Sequence, residues 1–368
     1  PRASRRGRAM TPRSLGDEAA SAYSKVGRDL AAVGLGWGDV ARVTELLPLG
    51  RRHDHAEVET ARRDTLGSNR PAVVTVVVEP LGSDYVEFGL EVDVVGADRP
   101  GPGVPAARCA PDGAVYLPTV MPVGEDGEVV HVGDFRSQYS WCLERAAMIL
   151  ADLGLGPEHL VQTIDYTTPA TRDSYGRCGR PRREVLGPVY PGAAGILVGA
   201  LAHPEVTVAF ELTASRYRPT AINPGWDRYE TLTYNPAVLA GPGLYGSGFA
   251  ALDPVSQRAI HDGDASAQAT FTYTSIVAVL AAVGARPEDL TGVREYVTPA
   301  GAGATAAITA ARAAVLGASV PTTTVGCGTL LRPEFLLEAV PTAIVTAPIV
   351  TAPIVTAPIV TAPIVPAS

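Results

Sequence analysis

The sequence predicts an α+β protein made of three tandem copies of one module. Three observations carry this: helical periodicity stops at a glycine in each copy, a β-rich run follows, and a second helix closes on a Leu-Gly pair. The second copy opens with Gly133-Asp134 and a helical pattern through Leu143, Ala147 and Leu150 that ends at Gly154. Pro157-Glu158 follows, and a strand runs to Tyr166 before Pro169. The third copy repeats this as Gly263-Asp264, a helix to Gly284, Pro287-Glu288, Tyr296 and Pro299, and the first echoes it with Gly16-Asp17, Gly34, Asp39 and Pro48. The second helices end at Leu66-Gly67, Leu186-Gly187 and Leu316-Gly317, with Pro71, Pro191 and Pro321 at one common spacing beyond. Strands are expected over 72–78, 193–201 and 322–331, with a last strand around Glu91, Glu211 and Glu338. A hairpin precedes the first helix in the second and third copies, over 114–120 and 238–250. The first copy has no room for one, so either its start lies upstream or it is built without those strands. The expected modules are 1–101, 102–218 and 219–345, followed by a tail, 346–368, in which Thr-Ala-Pro-Ile-Val recurs. Recurring proline blocks both helix and ladder, so the tail is read as extended and mobile.

Composition narrows the function classes. Of 368 residues 46% are hydrophobic and 18% charged, a balance suited to packed domains, and the net charge of -8 gives no footprint for a nucleic-acid backbone. The one basic cluster, Arg2, Arg5, Arg6, Arg8 and Arg13, reads as a solvated terminus. Cys109, Cys142, Cys178 and Cys327 are scattered without a Cys-x-x-Cys pair, so free thiols and a cytoplasmic location are expected. No signal peptide and no membrane-spanning stretch is read. His53-Asp54-His55 has the look of a metal clamp but no third ligand, and is taken as a solvated helix start. No metal and no cofactor is implied.

The order of elements, the Gly-Asp before the first helix and the strand after Pro321 resemble the Rid family, the YjgF-like reactive intermediate or imine deaminases, over nearly all of the chain up to Val345. The resemblance implies chorismate-mutase-like modules that close as an intramolecular pseudo-trimer, with sheets inside, helices outside and a pocket between neighbouring modules. It also implies a monomer, or a homodimer of pseudo-trimers, acting on a small-molecule substrate. Family members that deaminate use a Tyr before the hairpin, a Ser-Gly at its end, an Arg on the central strand and a Glu on the last strand. In the third copy these places hold Tyr234, Ser247-Gly248, Thr323 and Glu338. The second copy has Pro105, Pro118-Thr119, Ala193 and Ala209, and the first has Val73 and Gly89 at the last two places. Only the third copy is therefore expected to carry a site, with Glu338, Ser247 and Tyr234 as catalytic residues and Gly248, Thr323, Cys327 and Arg332 as substrate-binding ones.

The implied chemistry is hydrolysis of an imine, an enamine or a related reactive intermediate, in a biosynthetic setting, with Glu338 as the base that activates water. Thr323 cannot replace a guanidinium, so the substrate either lacks a carboxylate or is held by another cation, Arg332 or Arg294. Cys327 shares a strand face with Thr323 and either faces the pocket or fills core. Asp165-Tyr166 and Glu295-Tyr296 recur at equivalent places and read as structural. The rival reading is a non-catalytic binding or scaffold protein, favoured by the eroded positions in the first two copies. A ring-opening amidohydrolase, which also carries a threefold repeat, relies on Ser and Lys pairs, and Lys25 is the only lysine here.

Overall fold

The computed structural model describes residues 13–81, 88–94, 107–110, 112–253 and 256–345. The tail from 346 onward, most of the basic cluster and Pro105 lie outside the described residues. Each module is a sheet with helices packed on one face. Module one consists of α1 (Leu15–Ala32), β1 (Val40–Pro48), α2 (His55–Leu66), β2 (Ala72–Val78) and β3 (Gly89–Val94), with the sheet order β2-β1-β3. Module two begins with a hairpin, β4 (Arg108–Cys109) and β5 (Ala114–Tyr116), and continues through α3 (Phe135–Asp152) and β6 (Leu160–Thr167). Its second helix is broken into α4 (Arg172–Tyr175) and α5 (Gly179–Val185), before β7 (Gly192–Leu197) and β8 (Val208–Ser215).

Module three adds β9 (Thr220–Ile222), the hairpin β10 (Ala237–Ala240) and β11 (Gly243–Gly246), α6 (Ala265–Ala281) and β12 (Leu290–Val297). A short α7 (Pro299–Ala302) and α8 (Thr305–Val315) follow, then β13 (Thr322–Gly326), β14 (Thr329–Leu330) and β15 (Leu337–Ile344). In every module the strand after the first helix pairs in parallel with the strand after the second helix and antiparallel with the last long strand.

Local signals account for these elements. Gly34, Gly154 and Gly284 sit at positive φ just past the first helices, a conformation that favours glycine. Asp134 and Asp264 cap α3 and α6, accepting from the backbone of Ser137 and Ala267. In module one the capping residue is Ser14, which accepts from Asp17 N, so Gly16-Asp17 lies within the first turn of α1 and Ser14 is the counterpart of the two aspartates. The first hairpin starts earlier than the sequence suggests, because its two-residue first strand is too short to show an alternating pattern.

The run 322–331 is also not one strand. At Gly326 an added Cβ would collide with the Glu79 backbone, and the chain turns there. β14 then leaves module three and pairs with β7, completing the sheet of module two as β14-β7-β6-β8-β5-β4.

Each module has its own apolar core between helices and sheet, centred on Tyr23, Tyr139 and Tyr273. A fourth core joins the inner faces of all three sheets, including Val76, Ile164, Ile196, Tyr296 and Val340. The molecule is thus an intramolecular pseudo-trimer with sheets inside and helices outside. Charged residues meet near its centre, where Arg42 pairs with Asp93 at 2.6 Å and Arg294 with Glu91 at 2.9 Å. Glu211 lies between the two arginines, 2.5 Å from Arg294, while its other oxygen sits 2.8 Å from Arg42 as an ion pair without hydrogen-bond alignment. Tyr166 and Tyr296 join hydroxyls across this centre at 2.6 Å. No helix among the described residues is long and apolar enough to cross a membrane.

Candidate active site

The modules meet in a cyclic pattern that decides which residues share a pocket. The hairpin end of module two packs on β2 at the sheet edge of module one, where Thr119 N donates to Val73 O at 3.0 Å. The hairpin end of module three packs likewise on module two, with Gly248 N donating to Ala193 O at 3.0 Å. Module one shows no hairpin among the described residues to place against β13. The strand facing Glu338 therefore comes from module two, and the residue opposite the Ser-Gly is Ala193 rather than Thr323.

At this interface lies a cavity of about 810 Å³, within the range of small-molecule sites. Trp226, Phe249, Phe271 and Phe335 supply apolar wall, and Glu338 is the one carboxylate in the lining. Glu338 projects from β15 toward Gly248, where an added Cβ would overlap its carboxyl oxygen, so glycine there is a steric requirement of the acid. It has no hydrogen-bond or ion-pair partner among the described residues, and burial pushes its pKa up to about 8. At neutral pH the group is mostly a neutral acid. Burial thus favours the neutral acid at the residue that the sequence led us to expect as the water-activating base.

Arginines ring the same cavity. Arg172 donates through Nη2 to Thr329 Oγ1 (2.7 Å) and Leu330 O (3.0 Å), so β14, lent by module three, fixes it. Arg228 donates to the Tyr234 hydroxyl at 3.0 Å and stacks over the Tyr229 ring at 4.9 Å. Arg182 is held by Tyr139, Thr163 and the Thr233 carbonyl. All three line the cavity, and each keeps a buried donor without a partner among the described residues: Arg172 Nε, Arg182 Nη2 and Arg228 Nε. Unspent guanidinium donors beside a cavity form a ready site for carboxylates.

Of the residues expected from sequence, the structure brings Glu338, Tyr234, Gly248 and Arg332 together in the lining. Ser247 is not among them. Its hydroxyl donates to Asn235 O at 2.5 Å and accepts from Ala193 N at 2.8 Å, tying the hairpin to β7. Thr323 lies opposite Arg294 on β13, away from this cavity, and Arg294 is spent in the central ion network. Cys327 is fully buried in the central core and outside the lining. Burial, and then the nearby Glu338 and Glu79, push its thiol pKa up.

Sequence reading missed Arg172, Arg182 and Arg228. Two signals were present: an arginine stands four residues before each Leu-Gly, at Arg62, Arg182 and Arg312, and Gly176, Gly179 and Pro181 interrupt the second helix of module two nearer its end than Gly301 and Gly303 do in module three.

No protein-family model matches the chain, and a search of curated proteins finds no relative. Solved structures do match. The crystal structure of a chorismatase superposes with a TM-score of 0.54 at 15% identity, covering 83% of this chain and 93% of that one. A member of the YjgF/YER057c/UK114 family from Mycobacterium tuberculosis aligns at 23% identity over 34% of this chain and 99% of its own, with a TM-score of 0.29. RidA from an Antarctic Psychrobacter aligns at 22% identity over 31% and 90%, with a TM-score of 0.28. The fold is thus that of chorismatase, a Rid-like fold, over most of the chain.

Proposed function

We propose that the chain is a hydrolase of an electron-rich vinyl group bearing carboxylates, and that its substrate is chorismate, the compound from which the similar chorismatase takes its name. The observation that carries this reading is Glu338, a buried carboxyl in the cavity lining with no partner among the described residues, where burial pushes its pKa up to about 8. Chorismate is a ring carboxylate with an enolpyruvyl ether, so it presents two anions and one acid-labile double bond. The three guanidinium groups with unspent donors suit the anions. Glu338 suits the double bond.

In the proposed reaction Glu338 delivers its proton to the terminal methylene carbon, converting it to methyl and leaving an oxocarbenium ion at the adjacent carbon. Water adds there and passes a proton back to the Glu338 carboxylate. The hemiketal then collapses with cleavage of the bond to the ring oxygen, releasing pyruvate and the ring alcohol. The narrower expectation of imine or enamine hydrolysis uses the same acid on an enamine carbon. The several arginines favour the dicarboxylate.

The test is incubation with chorismate, with pyruvate followed through its coupled reduction, beside a panel of imines generated by an amino-acid oxidase. Pyruvate release that Glu338→Gln abolishes supports the proposal. Ammonia release from the imine panel alone would replace it with the deaminase reading. Neither product, with ligand binding unchanged in Glu338→Gln, would leave a binding or scaffold protein.

A further inference from the structure

One buried polar triad occurs in all three modules, and only the copy in module two is altered. In module one Tyr23 donates to Glu45 at 2.8 Å, and Arg62 pairs with that carboxylate at 2.8 Å. In module three Tyr273 donates to Glu295 at 2.6 Å, and Arg312 pairs with it at 2.7 Å. A threonine in register on the neighbouring strand completes each set, Thr75 at 3.1 Å and Thr324 at 2.7 Å. Neither Arg62 nor Arg312 lines the described cavity or keeps a buried unpaired donor.

Module two departs from this pattern at three places at once. The carboxylate is Asp165, shorter by one methylene, and the residue in register with it is Gly195 instead of threonine. Into the space above Gly195 comes the Tyr175 hydroxyl, which a Cβ would exclude. Tyr139 donates to Asp165 at 2.5 Å as its counterparts do, and Tyr175 donates at 2.9 Å in the place of the arginine. Arg182 stands 3.8 Å from the carboxylate, too far for a hydrogen bond, and its Nη2 is left buried and unpaired where it lines the cavity.

We propose that Arg182 is a specificity residue for the substrate: the shortened Asp165, the bare Gly195 and the inserted Tyr175 release its guanidinium from the structural triad to bind one of the two substrate carboxylates. The inference rests on the proposed function and assigns one of the two anion subsites to module two. Burial raises the Asp165 pKa against the pull of Arg182, as a loosened pair requires, whereas His55 and Arg62 hold Glu45 low despite its burial.

Asp165→Glu restores the length found in the other modules and lets the carboxylate reclaim Arg182. With chorismate, this variant should raise KM by about tenfold or more, the scale of one lost charge-assisted bond, while kcat stays close to wild type. Its melting temperature should hold or rise. Arg182→Lys keeps the charge without the fork and should fall between Arg182→Met and wild type. Binding is read separately by calorimetry in the Glu338→Gln background. Of the two monomethyl esters of chorismate, the one lacking the anion held by Arg182 should bind weakly and be weakened no further by Asp165→Glu. If wild type turns over chorismate while Asp165→Glu and Arg182→Lys leave KM and ester binding unchanged, Arg182 is structural and the inference falls while the functional reading stands. If wild type neither binds nor turns over chorismate, both fall.

Discussion

The centre of the molecule and the cavity between modules two and three both bury charge, and they treat it in opposite ways. At the centre every guanidinium faces carboxylates: Arg42 has Asp93 and Glu211, and Arg294 has Glu91 and Glu211. Burial alone would raise the Glu211 pKa, yet Arg294 and Arg42 hold it below the ordinary range. In the cavity the acid and the arginines are kept apart, so Glu338 stays protonated and donors on Arg172, Arg182 and Arg228 stay unspent. The residue types are the same in both places. Pairing turns them into scaffold, and separation leaves their capacity for a ligand.

That contrast can be broken most forcefully at the centre. Arg294→Ala leaves the buried Glu211 with Arg42 alone and the partly exposed Glu91 without its ion pair, and should cost about 3–5 kcal/mol in chemical denaturation. A loss under 1 kcal/mol would mean that the network contributes little. In the cavity Glu338→Gln removes the proton donor and should lower turnover of chorismate by about a hundredfold, about 2.7 kcal/mol at the transition state. The wild-type rate should fall as pH rises through about 8, and the variant should lack that limb.

The same substitution sharpens the comparison through stability. The folded pKa of Glu338 is about 8, above the ordinary 4.5, so between those values the folded state retains a proton that the unfolded state releases. Wild-type stability therefore declines with rising pH across that window, by about 1.4 kcal/mol for each pH unit from this group. Glu338→Gln should match wild type near pH 4.5 and exceed it in melting temperature at pH 8. Equal pH dependence of the two proteins would show that the carboxyl is ionised in the fold. The smallest effect is expected at Ser247. Ser247→Ala removes the tie to Ala193 and Asn235 and should cost about 1 kcal/mol while turnover stays within the same order of magnitude. A hundredfold loss there would return the hydroxyl to a chemical role.

The repeat was legible in the sequence because its punctuation is steric. Gly34, Gly154 and Gly284 occupy a backbone region that favours glycine, and the Leu-Gly ends mark the second helices without reference to anything distant. Glu338, Gly248 and Tyr234 could be found because the resemblance to the Rid family assigns those places, and Arg332 because it is a cation just beyond the same strand. Thr323 led away from the cavity for a different reason. Order along one copy does not say which neighbouring copy lies across a sheet edge, and the strand facing Glu338 belongs to module two. Arg182 escaped notice because it occupies a place that is structural in both sister modules, and its release depends on Asp165 and Gly195, which lie on neighbouring strands whose register the sequence alone does not give. Module-by-module alignment of charged positions would have exposed the difference.

The two-residue strand β14 also bears on how the chain is made. It leaves its own module to pair with β7, and Arg172 is anchored on it. On the ribosome, the sheet of module two thus waits, unfinished, until most of module three has emerged. The half of the cavity that holds its arginine is completed only then. A loan of this kind opposes the independent evolution of the copies, since module three cannot be deleted or moved without uncovering the β7 edge of module two.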